Sequence, residues 1–350
     1  MKAEEFFREL LRIPSPSLKE ERMAGYLISR FAEYGYSFIK DSFGNLLFYR
    51  SMEGMKIMFE AHMDTVDPAI EPHVMEDETS FFTDGTTALG ADDKAGIAAM
   101  LEYASESSSD KAIFLLCRAE EIGLMGSSKL EARFFDPFDI AYCISLDTQG
   151  DVGRIISTQT GKNRITVTVK GRKAHAGFSP EKGINAIKCA SEMISRLESG
   201  RIDEETTMNV GSFIAEGSTN VVPSLARFQY EIRSISSSKR KALTDKLVET
   251  CMRTAEEFHA EAEASVEELY LPYSIPDSDP MIDDIKCAME AIGVRPELFS
   301  STGGSDANNL NRIGIKSLVI GIGYRNAHGN EERIEKKQLS LLALLIRKIA

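Results

Sequence analysis

The sequence has 350 residues, of which 43% are hydrophobic, so it can bury one large core or two moderate ones, and two domains are the better expectation. The formal net charge is −13 at pH 7, the isoelectric point is near 5.1, and no run of lysine or arginine interrupts this acidity. This balance excludes the basic surface with which proteins bind nucleic acids or anionic membranes, and it favours small or peptide-like partners.

The cysteines and the N-terminal residues together indicate a compartment. There are five cysteines, which lie far apart and mostly within apolar runs. This pattern is typical of buried thiols in a reducing compartment rather than of a disulfide framework. Glu4 and Glu5 stand where a signal peptide needs basic residues, and no stretch reaches the ~18 apolar residues of a membrane span. We therefore expect a soluble cytoplasmic protein.

The first predicted elements alternate between helices and strands. Apolar spacing predicts one helix that ends at Pro14 and a second one over residues 20–34. Short apolar runs then predict strands over residues 45–49, 56–60, 112–117, 140–146 and 317–322, with helical patterns between most of them. Strands that alternate with helices in this way indicate an α/β fold with a mostly parallel sheet covered on both faces.

A different pattern occupies residues 162–270. Alternating apolar residues predict strands, and longer apolar stripes predict helices, in the order β-α-β-β-α-β. This is the order of elements in a ferredoxin-like α+β domain. We therefore expect a catalytic domain made of residues 1–161 and 271–350, into which residues 162–270 are inserted as a smaller domain.

The stretch at residues 89–96, LGADDKAG, places two adjacent acids on a turn between glycines, directly before an apolar helix. One interpretation of Asp92 is a helix cap, in which the carboxylate accepts the free N–H groups of the first turn. The other interpretation is a metal ligand, because carboxylates on tight turns are common ligands of divalent cations. The rest of the chain favours the metal ligand.

Several ionisable residues come shortly after predicted parallel strands. They are His62, Asp64, Glu120, Glu121, Asp147 and His328. The carboxyl ends of the strands of an open α/β sheet form its ligand crevice, so these groups are expected to meet there with Asp92. Imidazoles and carboxylates without a nearby thiolate suit Zn²⁺, Co²⁺ or Mn²⁺ rather than a structural zinc site rich in cysteine.

The candidate ligands are sufficient in number for two divalent metal ions per subunit, and zinc is the preferred metal. An aspartate can bridge two ions through its two oxygens, and Asp92 is the candidate for that position. One ion is then bound by His62 and Asp147, and the other by Glu121 and His328. Each residue alone is weak support, since charged residues are mostly just exposed, and the interpretation depends on the whole set in its order.

Two carboxylates are left over from this assignment. A carboxylate beside a metal-activated water is what a hydrolase needs as general base, and Glu120 is the candidate. Asp64 stands two residues after His62 and can accept the second N–H of that imidazole, which would fix its tautomer.

The sequence resembles the co-catalytic zinc aminopeptidase and carboxypeptidase clan, and within it the peptidase T-like tripeptidases. The matching segments cover nearly the whole chain: LLRIPSPS (10–17), EAHMDTV (60–66), LGADDKAG (89–96), AEEIGLMGS (119–127), SLDTQG (145–150), GRKAHAGFSPEKGINAI (171–187), GSTNVVP (217–223), GGSDAN (303–308) and NAHGNEE (326–332). The GADDKAG form is similar to the peptidase T side of the clan, because the deacylase and carboxypeptidase branches more often have a DMKG form.

The resemblance implies roles that spacing does not show. In relatives the inserted domain is a lid that forms a homodimer, and a histidine of the AHAG-like motif reaches into the neighbouring subunit's active site to stabilise the oxyanion; here that residue is His175. Asn220 and Arg233 match the substrate clamp, with Arg233 suited to bidentate binding of a peptide carboxylate. Gly303, Gly304 and Ser305 resemble the loop that receives the substrate backbone or its terminus.

The sequence thus predicts a two-metal exopeptidase that removes the N-terminal residue of short peptides, tripeptides above all, by attack of a metal-bridging hydroxide with Glu120 as general base. A deacylase or carboxypeptidase acting on N-acyl amino acids or dipeptides is the alternative, since it would use the same metals with a different pocket. A shell-forming glutamyl-type aminopeptidase would need its inserted domain between Asp64 and Asp92, where this chain is too short. A binding protein on a retired hydrolase fold would lack an essential group, and none is missing.

Overall fold

The computed structural model describes residues 2–350. Its helices are α1 (Ala3–Leu11), α2 (Glu21–Glu33), α3 (Ala91–Glu106), α4 (Ala186–Ser195), α5 (Ser237–Glu257), α6 (Pro280–Ala291), α7 (Asp306–Arg312) and α8 (Lys336–Ile349). Its strands are β1 (Ser37–Lys40), β2 (Leu46–Tyr49), β3 (Met55–His62), β4 (Val74–Glu76), β5 (Ser80–Thr83), β6 (Ala112–Cys117), β7 (Asp139–Thr148), β8 (Arg154–Gln159), β9 (Gly161–Lys170), β10 (Gly200–Asp203), β11 (Thr206–Ile214), β12 (Leu225–Ser234), β13 (Glu261–Tyr270), β14 (Tyr273–Ser274), β15 (Glu297–Ser301), β16 (Ser317–Gly321), β17 (Tyr324–Arg325) and β18 (Arg333–Glu335).

The chain forms two compact units. The first unit contains the residues up to Thr158 together with Ser274–Ser300 and Ser305–Ala350. The second unit contains Gln159–Tyr273 and the short stretch Ser301–Gly304.

The first unit is organised on a sheet in the order β1-β2-β6-β3-β7-β16-β8-β14, in which β15 also pairs with β8. Its central strands β6, β3, β7 and β16 are parallel, whereas β2 and β8 join them antiparallel. Strands β6 and β16 are buried along their whole length, as expected for apolar runs covered on both faces. Helix α3 packs against α1 and α8 and contacts β3 and β7. The predicted α/β class with a mostly parallel sheet is confirmed.

The second unit is an antiparallel sheet in the order β10-β11-β12-β9-β13, packed with helices α4 and α5. The long strand β9 lies between β12 and β13 and pairs with both along most of its length. Its alternate side chains, Ile165, Val167 and Val169, are fully buried in the core of this unit. The order of the main elements is the predicted β-α-β-β-α-β, to which the short strand β10 is added.

Some elements differ from the sequence-based expectation because distant partners decide them. The sequence analysis predicts no strand in residues 74–83, yet they contain β4 and β5, which belong to a small sheet in the order β17-β18-β5-β4. Strands this short have too few alternations to be recognised, and β5 finds its partner β18 at the other end of the chain. Helix α4 begins at Ala186, after a 3₁₀ turn at Pro180–Lys182, and Asn185 caps it by accepting the N–H of Lys188 at 3.0 Å.

Within residues 2–350, none of the helices combines the length and the apolar character that crossing a membrane would require.

Candidate metal centre

The candidate residues of the first unit lie at the carboxyl ends of its parallel strands and on the loops that follow. His62 ends β3, Glu120 and Glu121 come shortly after β6, and Asp147 lies near the end of β7. His328 follows β17, and Asp92 lies in the first turn of α3, where the helix has non-helical backbone angles and a cis peptide bond to Asp93.

The carboxylate of Asp92 stands between two imidazoles. Its Oδ1 is 3.2 Å from Nε2 of His62, and its Oδ2 is 3.3 Å from Nε2 of His328. Each oxygen of one carboxylate therefore faces a different histidine, which is the arrangement of a ligand that bridges two cations.

A further carboxylate joins each imidazole. Asp147 Oδ1 lies 3.8 Å from Nε2 of His62, and Glu121 Oε1 lies 2.9 Å from Nε2 of His328. The donor atoms of His62, Asp92 and Asp147 all lie within 4.8 Å of one another, and so do those of Asp92, Glu121 and His328. The structure thus gathers the five predicted metal ligands into two groups that share Asp92.

The donors of these two groups fit divalent cations. Glu121 Oε1 is buried and is not in hydrogen-bonding geometry with any partner, although the His328 nitrogen is 2.9 Å away. A buried carboxylate oxygen without a hydrogen bond is costly unless a cation binds it. Oxygen and imidazole donors in this number are the ligands that Zn²⁺, Co²⁺ and Mn²⁺ take in proteins.

The charges at the site show why positive charge is needed there. Burial raises the pKa of Asp147 well above its ordinary value, and the nearby charges of Glu120 and Asp92 raise it further. Burial also raises the pKa of Glu121. The adjacent carboxylates of Asp92 and Glu121 raise the pKa of His328 to about 10. In the absence of cations, these side chains favour binding protons instead.

Asp64 connects the end of β3 with the loop after β6. Its carboxylate accepts the N–H groups of Glu120 and Glu121 at 3.0 and 3.3 Å and the hydroxyl of Ser17 at 2.6 Å. The Nδ1 of His62 is 2.9 Å from the backbone oxygen of Asp64 and 3.5 Å from its Oδ1. Burial opposes ionisation of Asp64, yet His62, Ser17 and the N–H of Glu120 together lower its pKa. The backbone oxygen is thus the nearer acceptor for the imidazole, and the carboxylate fixes the neighbouring loop.

Glu120 is held by its backbone and its side chain is half-buried. Burial raises its pKa well above the ordinary value; the charge of His62 lowers it, and those of Asp306, Glu121 and Asp64 raise it. A carboxyl group with a raised pKa is suited to take up a proton and release it again during a reaction.

In the second unit, His175 is exposed and has a defined tautomer. Its Nδ1 accepts the backbone N–H groups of Gly177 and Phe178 at 3.1 and 3.2 Å, so the proton of a neutral ring is on Nε2. The ring contacts that of Phe178, with 4.3 Å between the centroids. Asn220 lies beside this turn, where its backbone oxygen accepts the N–H of Ala176 at 2.9 Å. The structure therefore brings His175 and Asn220 together.

In the second unit, Arg233 contacts the short stretch Ser301–Gly304. Arg233 donates to Glu231 Oε1 at 2.9 Å and to the backbone oxygen of Thr302 at 3.3 Å. At Gly304 a Cβ atom would stand 2.3 Å from the ring of Tyr270, so only glycine allows this approach.

Ser305 has a local structural role. It precedes helix α7 and forms a capping box with Asn308, whose Oδ1 accepts the Ser305 N–H at 3.0 Å. The substrate contact that the sequence suggests for Ser305 stays a prediction.

Sequence reasoning gave no role to two acids of the site. Asp93 accepts the backbone N–H of His62 at 3.2 Å, and Glu332 accepts backbone N–H groups of the turn that carries Asp92. Glu332 lies in the NAHGNEE segment, but an adjacent pair of glutamates such as Glu331–Glu332 is typical of an exposed surface. Only the burial of Glu332, to 1% exposure, distinguishes it from Glu331.

A third buried group lies under the site. The donor atoms of Glu60, Cys117 and Asp306 lie within 4.8 Å of one another. Burial raises the pKa of all three, and the charge of Asp306 raises that of Glu60 further. Burial therefore favours the neutral forms of these groups.

Two family models match parts of the chain. The model described as the peptidase dimerisation domain matches residues 158–259. The model described as peptidase family M28 matches residues 50–186.

Similar proteins cover nearly the whole chain. An uncharacterized protein of Bacillus subtilis, YqjE, is 34% identical, and the match covers 98% of this chain and 95% of that protein. The crystal structure of aminopeptidase PepT from Bacillus cereus is 32% identical with a TM-score of 0.87, covering 99% of this chain and 97% of that one. The crystal structure of a tripeptidase from Staphylococcus aureus is 31% identical with a TM-score of 0.91, covering 99% and 96%.

Proposed function

The chain belongs to the peptidase T-like M20 family of metallopeptidases, and from this premise we propose that it is a metal-dependent aminopeptidase that removes the N-terminal residue of tripeptides. Hydrolysis of a peptide bond is the reaction of the family. The tripeptide substrate follows the relatives, of which one is named an aminopeptidase and another a tripeptidase.

The observation that carries this proposal is the position of Asp92 between the imidazoles of His62 and His328. We propose that His62, Asp92 and Asp147 hold one divalent ion and that Asp92, Glu121 and His328 hold the other. Zinc is the proposed metal, and cobalt and manganese accept the same donors. When bound, such a pair of ions acidifies a water molecule and polarises the carbonyl group of the scissile peptide bond.

Glu120 is the proposed general base. Its N–H donates to Asp64 Oδ1 at 3.0 Å, so its backbone is fixed next to the metal ligand Glu121. In this proposal its carboxylate takes a proton from the attacking water and later delivers it to the amine that leaves. Asp64 fixes the loop through its carboxylate and receives the Nδ1–H of His62 on its backbone oxygen.

The second unit supplies the groups that recognise the peptide. His175 carries its proton on Nε2, and we propose that it donates this proton in a hydrogen bond to the oxyanion that develops on the carbonyl oxygen. Arg233 and Asn220 are the proposed clamp for the peptide carboxylate and backbone, and Gly304 is the proposed glycine of the receiving loop.

We further propose the domain organisation and a homodimer. Residues 1–161 and 271–350 would form the catalytic domain, and residues 162–270 the lid through which two copies associate. The match to the peptidase dimerisation domain supports this proposal, since it covers most of the inserted segment and includes His175. In such a dimer His175 acts in the active site of the partner subunit.

The proposed activity is tested by assaying metal-stripped protein on a small panel of substrates. The panel is a dipeptide, a tripeptide, a tetrapeptide and an N-acetyl amino acid, each assayed with Zn²⁺, Co²⁺ or Mn²⁺ added back. We expect release of the N-terminal residue mainly from the tripeptide, and only with metal present. Turnover confined to the N-acetyl amino acid would instead identify a deacylase, and turnover that persists without metal would contradict the metal centre.

A further inference from the structure

Glu332 is buried to 1% exposure and binds the turn that carries Asp92. Its Oε2 accepts the backbone N–H groups of Leu89 and Gly90, each at 2.8 Å. Its Oε1 accepts those of Ala91 at 2.8 Å and Asp92 at 3.2 Å. One carboxylate from the far end of the chain therefore takes up four successive N–H groups at the start of α3.

These four bonds change what Asp92 does. A helix begins with N–H groups that lack partners in the helix, and a nearby aspartate commonly accepts them as a cap. Here the residue at the cap position, Gly90, has no side chain for this purpose, and Glu332 supplies the acceptor oxygens instead. The carboxylate of Asp92 is consequently turned toward the imidazoles of His62 and His328.

Glu332 also connects two segments that carry metal ligands. It stands four residues after His328, and the loop between them is closed by bonds from the Gly329 N–H to the Asn326 oxygen and from the Glu332 N–H to the Gly329 oxygen. The backbone that carries His328 is thus joined through one buried side chain to the backbone that carries Asp92.

We propose that Glu332 is the positioning residue of the bridging ligand: it caps the turn before α3 in place of Asp92 and fixes Asp92 and His328 relative to each other. This inference rests on the proposed metal centre. Glu332 does not contact the metals or the substrate, and it acts through Asp92. Partners of this kind commonly change metal affinity or activity by about 10–100-fold.

The test compares Glu332→Gln with Glu331→Gln. Glutamine keeps the shape of Glu332 but turns an NH₂ group toward two N–H donors, so two of the four bonds are lost. Glu331 is an exposed neighbour, and its variant removes the same charge from the same loop. Metal-stripped proteins are titrated with Co²⁺, and binding is followed by visible absorption and by calorimetry.

We expect wild-type protein to bind two Co²⁺ ions and Glu332→Gln to bind them at least about tenfold more weakly. Glu331→Gln should match wild type. Equal affinities in Glu332→Gln and wild type would overturn the inference and leave the metal centre standing. A wild-type protein that binds no Co²⁺ would instead remove the metal centre and the inference together.

A measurement on wild-type protein covers the case in which Glu332→Gln does not fold. Hydrogen exchange of the metal-free protein reports on the amides of residues 89–92. Slow exchange supports a turn that Glu332 holds before any metal binds, and exchange as fast as in an unfolded chain would overturn it.

Discussion

At the residue scale, acids of the same type differ in role because their contacts differ. Asp92 faces two imidazoles, whereas Asp64 binds two backbone N–H groups and a serine hydroxyl. Both are buried, and both have a lowered pKa because their partners outweigh the cost of burial. Asp92 is thus available to cations, and Asp64 is committed to holding a loop.

Glu120→Gln is expected to retain metal and fold but to lose turnover. The amide cannot accept a proton, and a positioned base contributes at least about 10²-fold to the rate. The measurement is kcat for a tripeptide at saturating metal, together with the metal content of the purified protein.

The matched control is Glu131→Gln, an exposed glutamate near the same loop, which should behave as wild type. If Glu120→Gln turned over the tripeptide at a nearly normal rate, Glu120 could not be the base. If it lost its metal as well, the effect would belong to the metal site instead.

At the element scale, the site is built from the loops that follow parallel strands. The short stretch Ser301–Gly304 is a special case, because it begins at the last residue of β15 and belongs to the second unit, whereas the rest of β15 belongs to the first. There the backbone oxygen of Thr302 accepts a hydrogen bond from Arg233, and Gly304 packs against Tyr270. The path of this loop therefore bears on the proposed substrate clamp.

Gly304→Ala is expected to raise KM for the tripeptide by about tenfold or more, since small displacements of positioning groups have effects of this size. The new Cβ would stand 2.3 Å from the Tyr270 ring, so the loop has to move. Steady-state kinetics of wild type and variant measure the effect.

Gly303→Ala is the matched control in the same loop. Its Cβ would meet only the hydroxyl oxygen of Ser301, at 3.3 Å, which a small side-chain rotation relieves. The control should keep a KM close to that of wild type. Equal KM values for all three proteins would mean that the loop does not contribute to substrate binding.

At the scale of the whole molecule, the proposed residues are divided between the two units. The proposed metal ligands belong to the first unit together with Glu120 and Asp64, and His175, Asn220 and Arg233 belong to the second. His175 is exposed, and its neutral ring carries the proton on Nε2. It can therefore donate a hydrogen bond to a group outside its own unit. The proposed dimer supplies that group from the partner subunit.

His175→Ala and Glu120→Gln are expected to be inactive alone and to complement each other when mixed. If His175 acts across the dimer, each mixed dimer has one complete site, because a two-fold interface places each lid at the other subunit. Random exchange of subunits should then restore up to about a quarter of wild-type activity. The measurement is tripeptide hydrolysis after the two variants are mixed under conditions that allow exchange.

The control is Lys173→Ala, which changes an exposed residue two positions before His175 and should stay active. If mixed dimers form, as shown by differently tagged subunits, but no activity returns, then His175 does not act in the partner's site.

Comparison of sequence and structure shows what local patterns can specify. The apolar runs of β3, β6, β7 and β16 predicted a parallel sheet, because strands buried on both faces need continuous apolar sequence. The same runs located His62, Asp147 and the pair Glu120–Glu121 at strand ends, where the topology of such a sheet forms its crevice. The structure gathers these side chains there with Asp92 and His328.

Only the tertiary structure decided contacts between residues far apart in the chain. The partner of the Asp92 turn is Glu332, 240 residues later, and no local pattern distinguishes it from its exposed neighbour Glu331. The strands β4 and β5 depend in the same way on β18, and the loop at Ser301–Gly304 depends on Tyr270 and Arg233. The sequence by itself determined which residues are apolar, which can ligate and in what order they come, because these properties are local. Which buried acid faces two imidazoles, which caps a turn and which holds a loop depends on neighbours that only folding brings together.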